Sequence, residues 1–232
     1  MSGPGIGRFV GVGIYSVPEA SRLTGIPPRS IRRWILGYDY TSRGARNRMP
    51  PVVKGQLPVI GGVPALSFLD LQEARCLHAF RSHGVRWHTL RLASERAREI
   101  VGRDHPFSTG RFRDEGRRIL TAVAKDSGDV ALEDIVTNQL GFEKVLRDFL
   151  KGLEFVEDQA ARWFPTKDRR VVIDPARSFG QPVVIKEGVP TLVLSKAFKA
   201  ERSLARVAEW YRVEVESVKA AIAFENALQL AA

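Results

Sequence analysis

The chain has 232 residues, of which 44% are apolar, 27% charged and 9% aromatic, and this composition is that of a globular protein and excludes wholesale disorder. No apolar run approaches the roughly 20 residues that a membrane-spanning helix requires, and the N-terminus lacks the basic start and apolar stretch of a secretory signal. The single cysteine, Cys76, excludes an internal disulfide, so we expect a protein of the reducing cytoplasm. Because no apolar run is long enough to span a membrane, we expect no membrane partner.

Positive charge is concentrated in the front half of the chain. The formal net charge is +10. Residues 1–120 contain 20 basic and 9 acidic residues, whereas residues 121–232 contain 16 basic and 17 acidic ones. The asymmetry predicts an N-terminal module that binds a polyanion and a near-neutral module with another role. A solvated basic surface is the alternative interpretation.

Residues 15–37 predict two short helices joined by a tight turn. Ser16 followed three residues later by Glu19 is a capping-box pattern, and Gly25 ends the first helix. Two prolines then start a second helix, which we expect over Pro28–Leu36 with Gly37 at its end.

The second helix is predicted to have an apolar face and a basic face. Ile31, Trp34 and Ile35 form a stripe at spacings of three and four. The opposite side carries Arg29 and Arg33, flanked by Ser30 and Arg32. A short helix of this kind suits insertion into the major groove of DNA, where guanidinium groups reach phosphates and guanine edges. A solvated helix face is the alternative.

An extended segment rich in Gly and Pro follows, and we expect it to form a wing-like hairpin. It holds one acid, Asp39, and four basic residues: Arg43, Arg46, Arg48 and Lys54. Two amphipathic helices come next, the first capped by Ser67 and Asp70 and broken at Gly84, the second over about 86–100.

The first hundred residues resemble the MerR-type winged helix-turn-helix family. The match is carried by "YSVPEASRLTGIPPRSIRRWI" and by "LSFLDLQEARCLHAFRSHGV". The resemblance implies that the second helix reads the major groove through Arg29, Ser30, Arg32 and Arg33. It also implies that the wing grips the DNA backbone through Arg43, Arg46 and Arg48. The wing is longer than is usual in the family, and the dimerising coiled coil of many members is missing, so dimerisation requires another route.

The middle segment, residues 103–170, predicts a small α+β domain. Residues 117–124 and 130–136 resemble two strands around a hairpin turn, "KDSGD". Residues 141–156 form an amphipathic helical pattern, and residues 169–175 predict a further strand.

From Val171 the pattern predicts two short strands and then three helices. The last two helices, about 203–210 and 214–228, have the outline of a second helix-turn-helix. Glu214 and Glu216 stand where a DNA reader would place neutral or basic groups, and carboxylates repel phosphate. We therefore expect this module to bind protein.

This stretch resembles the antitoxin family known as domain of unknown function 433. The matching motifs are Gly180-Gln181-Pro182-Val183-Val184, then Gly188-Val189-Pro190-Thr191, then "ARVAEWYRVEVESVKAAIAFENA", with Val207, Ala208, Tyr211, Val213, Val218, Ala221 and Ile222 as the spaced core. Its fusion to a DNA-binding N-terminus resembles VapB-type antitoxins. The resemblance implies neutralisation of a PIN-like ribonuclease toxin and repression of the shared operon.

The sequence thus predicts a mainly α protein with small β elements, an α+β fold, in three domains: 1–102, 103–170 and 171–232. The expected partners are operator DNA, the toxin, and a second copy in a homodimer or a higher hetero-oligomer with the toxin. The alternatives are a stand-alone MerR-like regulator whose C-terminal domain oligomerises or senses a ligand, and a protein adaptor.

We expect no enzymatic activity and no cofactor. His78, His83 and His88 are five residues apart, which spreads them around a helix instead of stacking them on one face. Because no paired cysteine or carboxylate stands at ligand spacing, we expect no metal site.

Overall fold

The computed structural model describes residues 11–59 and 62–230, and the architecture is the mainly α, α+β fold that the sequence predicts. The chain divides into two compact units. The N-terminal unit comprises Ser16–Lys151 and Phe155–Ala160. The C-terminal unit comprises the segment that ends at Tyr15, Gly152–Glu154 and the chain from Ala161 onward. The division into three domains stays a prediction.

The N-terminal unit begins with the two predicted helices. A short strand, β1 (Tyr15–Ser16), leads into α1 (Val17–Thr24) and α2 (Pro28–Leu36). Ser16 and Glu19 form the predicted capping box, and Gly25 ends α1 in the left-handed conformation. The predicted bounds of the second helix are confirmed, with Gly37 at its C-terminal end.

A hairpin and two longer helices complete this part of the unit. The hairpin consists of β2 (Tyr38–Ser42) and β3 (Ala45–Met49), which pair antiparallel. After β4 (Ala65–Leu66) come α3 (Phe68–Ser82), capped by Ser67 and Asp70, and α4 (Trp87–Val101), ended by Gly102. The predicted wing is confirmed as a hairpin, but it is confined to the first part of the Gly/Pro-rich segment.

The hairpin predicted at 117–136 is wrong, because both of its arms are helical. Helix α5 spans Gly110–Ser127 and α6 spans Val130–Thr137. Gly128 adopts the left-handed conformation that ends α5, and the Asp129 side chain accepts hydrogen bonds from the Ala131 and Leu132 amides at the start of α6. The residues that suggested a β-turn are therefore a helix C-cap followed by an N-cap.

The helix predicted over 141–156 is too long. Helix α7 covers Gln139–Leu150, and β5 (Leu153–Val156) follows it. Gly152 separates them at φ +74°, and a Cβ at this position would lie 2.0 Å from the Phe164 carbonyl oxygen. Only glycine allows this close approach, so the chain turns here instead of continuing as a helix.

The remaining strands are β6 (Gln159–Trp163), β7 (Val171–Ile173) and β8 (Pro182–Val184), in a four-stranded sheet of order β5-β6-β7-β8. Strand β7 pairs antiparallel with both neighbours, Ile173 opposite Trp163 and Val172 opposite Val183. The strand predicted within 169–175 is confirmed.

The C-terminal unit ends in the three predicted helices, α8 (Thr191–Glu201), α9 (Leu204–Tyr211) and α10 (Val215–Leu230). Their shared core consists of Val184, Leu194, Val207, Ala208, Val213, Val218 and Ala221, with Ile222 partly buried against it. The sequence predicts Tyr211 in this core, but its side chain is exposed at the end of α9.

The Gly180-Gln181-Pro182 motif of this unit packs against the side chain of Tyr15. The Tyr15 hydroxyl donates a hydrogen bond to the Gly180 carbonyl oxygen at 2.8 Å, and the Ile14 amide donates to the Phe179 carbonyl oxygen at 3.0 Å. A Cβ on Gly180 would lie 2.2 Å from the Tyr15 hydroxyl oxygen. Glycine is therefore required at position 180 to admit the ring.

Candidate nucleic-acid interface

The candidate interface consists of the exposed face of α2 and the β2–β3 hairpin. Ile31 and Trp34 are 0% and 6% exposed, so they fix one face of α2 in the core. Arg29, Arg32 and Arg33 lie on the opposite face and are exposed. Within the described part of the chain, none of these three guanidinium groups forms an ion pair with a carboxylate. Their charge is therefore available to an external anion.

The hairpin is closed by the tightest type of turn. Ser42 pairs with Ala45, which leaves Arg43 and Gly44 as a two-residue loop, with φ +52° and +78°. Positive φ at both positions is the signature of a type I′ turn, which matches the twist of an antiparallel hairpin. Arg43 thus occupies the tip of the wing.

Arg46 and Arg48 share one acid. Arg48 lies directly across from Asp39, and Arg46 is two residues before Arg48 in β3. The two guanidinium groups approach the Asp39 carboxylate at 2.9 Å (Arg46) and 3.2 Å (Arg48). Hydrogen bonds from Arg46 and then Arg48 lower the pKa of Asp39 below its ordinary value. The acid therefore stays ionised and holds both arginine side chains along the hairpin.

The wing and the segment that follows it are bonded to the C-terminal end of α2. The last carbonyls of a helix lack partners within the helix itself. Here the Trp34 carbonyl accepts hydrogen bonds from the Val52 and Val53 amides, at 2.9 and 3.0 Å. Arg48 Nη2 donates to the Leu36 carbonyl at 2.7 Å. Helix and wing are thus positioned by one hydrogen-bonded connection.

Gly37 allows this connection because it lies against the end of β3. Its φ is +73°, and a Cβ would lie 2.2 Å from the Met49 carbonyl oxygen. No other residue permits both the backbone conformation and the contact.

Aromatic rings and two arginines support the interface from behind. Trp34 stacks on Trp87 of α4 with ring centroids 5.2 Å apart, and the Arg33 guanidinium lies 4.4 Å from the Tyr38 ring centroid. Two arginines of α4 donate to carbonyl oxygens of the segment after the wing: Arg91 to that of Pro50 at 2.7 Å, and Arg98 to that of Val52 at 2.9 Å. The helix face is therefore held on a rigid base.

The seven residues predicted to contact DNA all lie in this region. The six arginines, Arg29, Arg32, Arg33, Arg43, Arg46 and Arg48, are exposed, and Ser30 is half-buried. Sequence reasoning missed the roles of Tyr38, Trp87 and Asp39. Asp39 lies in one strand, and Arg46 and Arg48 occupy alternate positions of the next strand. This pattern indicates the ion pairs once the register of the hairpin is known.

The second helix-turn-helix outline has different chemistry. At the start of α10, Glu214 forms an ion pair with Lys186, and Glu216 is exposed beside Lys219. Trp210 on α9 is 63% exposed, and Phe179 is 55% exposed. Exposed aromatic side chains are enriched at protein-binding surfaces, and carboxylates are unfavourable for a phosphate backbone.

Within residues 11–59 and 62–230, no helix has the combination of length and apolar character needed to cross a membrane. No group of three or more His, Cys, Asp and Glu side chains there is arranged to hold a metal ion.

Comparisons with known proteins match two parts of the chain to families. Residues 13–93 match the model of a family described as "Putative DNA-binding HTH domain", and residues 171–224 match "Protein of unknown function (DUF433)". The predicted resemblance to a helix-turn-helix domain joined to a domain of unknown function 433 is confirmed.

The similar proteins come from Mycobacterium tuberculosis. One, named "Putative antitoxin VapB45", is 28% identical over 91% of this chain and 93% of its own length. Another, named "Uncharacterized protein Rv2308", is 26% identical over 94% of this chain and 92% of its own length. The crystal structure of Rv2018 has a TM-score of 0.71 and 25% identity, and covers 90% of this chain and 96% of that one. The similarity extends over nearly the whole of each protein.

Proposed function

We propose that this protein is a DNA-binding antitoxin that represses its own operon and neutralises a PIN-like ribonuclease toxin. The order of the domains and the name of the VapB45 relative support the proposal. A stand-alone MerR-like regulator is the second candidate, and it shares the DNA-binding part of the proposal.

One observation carries the DNA-binding part. Arg29, Arg32 and Arg33 lie on the face of α2 opposite the buried Ile31 and Trp34, without carboxylate partners in the described ranges. A helix that is held by one apolar edge and presents free guanidinium groups fits a major groove. Arginine forms bidentate hydrogen bonds with guanine edges and phosphates. Arg43 and Arg46 on the wing are assigned to the DNA backbone.

The toxin is assigned to the C-terminal unit. This unit has exposed aromatic side chains, including Trp210, and aromatic residues are enriched at the centres of protein interfaces. Assembly as a dimer would place two α2 helices on half-sites about 34 Å apart, one turn of DNA.

The DNA-binding part is tested with the Arg33→Ala variant. The probe is the DNA directly upstream of the protein's own coding sequence, and fluorescence anisotropy measures the affinity. Removing a base-reading arginine costs about 1–3 kcal/mol, so we expect a loss of about fivefold to 150-fold in affinity.

Arg103→Ala is the matched control, because Arg103 is an exposed arginine of the same unit outside the interface. It removes the same charge, and we expect a loss several times smaller. Equal losses for both variants would indicate non-specific electrostatic attraction and would remove Arg33 from the reading surface.

A further inference from the structure

A cavity of about 410 Å³ lies in the N-terminal unit beside the first turn of α2. Side chains of α2, β2, α3 and the start of α4 line it. Its volume falls within the range of pockets that bind small molecules, roughly 300–1,000 Å³, and greatly exceeds that of a phosphate group.

The polar side chains of this cavity favour an anion. They are Ser30, Arg33, His78 and Arg81, and the lining includes no carboxylate. Within the described chain neither arginine has a carboxylate partner, and Arg81 uses one donor on the Val85 carbonyl at 3.1 Å. A guanidinium group carries five N–H donors, so most of them are available to a ligand.

The start of α2 adds to this preference. Its first turn contains no acidic residue, and no side chain caps its N-terminus. The amide groups and the dipole of an uncapped helix N-terminus favour negative charge nearby. Burial lowers the pKa of His78, so its imidazole is neutral near pH 7 and acts there as a hydrogen-bonding group.

The other walls of the cavity are aromatic. Trp34 and Trp87, stacked at 5.2 Å, and Tyr38 line it. A DNA backbone phosphate has no apolar surface to pack against the three rings. A planar aromatic ligand buries apolar area against them and makes ring contacts with them. The lining thus combines a place for a ring with a place for a negative charge.

We propose that this cavity binds a small aromatic anion, a ring bearing a phosphate or carboxylate group, and that the ligand competes with DNA. The inference rests on the proposed function in one respect. Ser30 and Arg33 line the cavity and also belong to the proposed DNA-reading face, so a bound ligand neutralises and occupies side chains that the DNA requires.

The experiment uses the full chain and two probes, adenosine 5′-monophosphate and benzoate. Isothermal titration calorimetry without DNA measures their binding, and adenosine and inorganic phosphate serve as the ring-only and charge-only comparisons. We expect at least one probe to bind with a Kd below about 1 mM and both comparison compounds to bind at least tenfold more weakly.

Arg81→Ala is the variant and Arg103→Ala its control. Loss of a charge-assisted hydrogen bond in Arg81→Ala should weaken the probe about tenfold or more, with no effect in Arg103→Ala. Arg81→Lys keeps the charge and should give an intermediate loss, and thermal melting verifies that each variant is folded. The probe should also raise the apparent Kd of the upstream DNA, by a factor of one plus the ratio of the probe concentration to the Kd of the probe.

The proposal is overturned if neither probe binds, or if Arg81→Ala binds the probe as tightly as the unmodified protein. It is also overturned if Arg81→Ala weakens only DNA binding, because the cavity would then belong to the DNA interface alone. Since probe binding is measured without DNA, its failure leaves the DNA-binding proposal untouched. Failure of DNA binding alone would likewise leave the cavity assignment intact.

Discussion

The arginines of the wing differ in how far their side chains are engaged within the protein. Arg48 is tied to Asp39 and to the Leu36 carbonyl, so part of its role is to position the hairpin on α2. The Arg46 side chain is 82% exposed and makes its ion pair at the surface, and Arg43 occupies the turn. A surface ion pair contributes little to stability, so Arg46 can exchange Asp39 for a phosphate at small cost.

At the same scale, Gly37 is predicted to be essential for the joint between helix and wing. Gly37→Ala imposes both a left-handed backbone cost and a clash with the Met49 carbonyl, and we expect a destabilisation of about 2 kcal/mol or more in urea denaturation. DNA affinity should fall as well, because the wing is displaced.

Gly25→Ala is the control for this substitution. Gly25 has φ +71° and ψ 3°, and no atom lies within 4 Å of an added Cβ, so Gly25→Ala measures the cost of a left-handed helical backbone alone, about 1 kcal/mol. Gly37, at φ +73° and ψ −170°, lies in a region essentially restricted to glycine and also contacts β3. A Gly37→Ala variant no less stable than Gly25→Ala would show that neither this backbone conformation nor the contact with β3 constrains the joint.

Among the elements, those with local signals were predictable. The capping box of α1, the two prolines before α2 and Gly37 act within a few residues, and they set the bounds that the structure shows. The pair Gly128-Asp129 serves equally well in a hairpin turn and between two helices, and only the packing of α5 and α6 decides between them. Local pattern could not make that choice.

The exposed arginines of α2 followed from helical periodicity, whereas their surroundings did not. Asp39 meets Arg46 and Arg48 only through the register of the hairpin, and Trp34 meets Trp87 only through packing between distant helices. The cavity beside α2 depends on the same distant contacts, so sequence alone could not indicate it.

Helix α3 carries buried acids whose partners lie 35 residues away in the chain. Asp70 accepts from His105 Nε2 at 2.7 Å, and Glu73 accepts from the Ser108 amide at 3.0 Å. Burial raises the pKa of Glu73 to about 7, against partial opposition from His105 and the hydrogen bonds of Ser108 and Phe107. For His105, burial lowers the pKa, but the Asp70 hydrogen bond and the nearby acids outweigh it and leave the pKa raised. These groups bond α3 to the turn that precedes α5.

This network predicts a stability that falls as pH rises. The folded state binds more protons than the unfolded state between the ordinary Glu pKa of 4.5 and about 7, so the free energy of unfolding decreases over that window. The raised pKa of His105 extends the decrease above pH 6.5. Denaturant titrations from pH 5 to 8 should show this slope.

Glu73→Gln removes the titrating group, so the decrease in the free energy of unfolding over this pH window should become smaller by up to about 3 kcal/mol. Glu99→Gln is the control, since Glu99 is an exposed acid of the same unit, and it should leave the slope unchanged. An unaltered slope in Glu73→Gln would mean that Glu73 is ionised throughout and that its burial is compensated.

Over the whole molecule, the net charge and the exposed side chains differ between the two halves of the chain. The basic first half presents free guanidinium groups on one helix, and the near-neutral second half presents exposed aromatic side chains and carboxylates. An operon-repressing antitoxin needs both surfaces in one chain, because the same molecule must occupy DNA and hold a second protein.

Co-expression of the full chain with the product of its neighbouring gene tests the antitoxin proposal. The expected result is a stable complex that co-purifies and suppresses RNA cleavage. Trp210→Ala should weaken this complex, and Leu230→Ala, whose exposed side chain lies at the end of α10, should leave it unchanged. Absence of a complex, with upstream DNA still bound, would contradict the antitoxin assignment and leave a regulator of transcription.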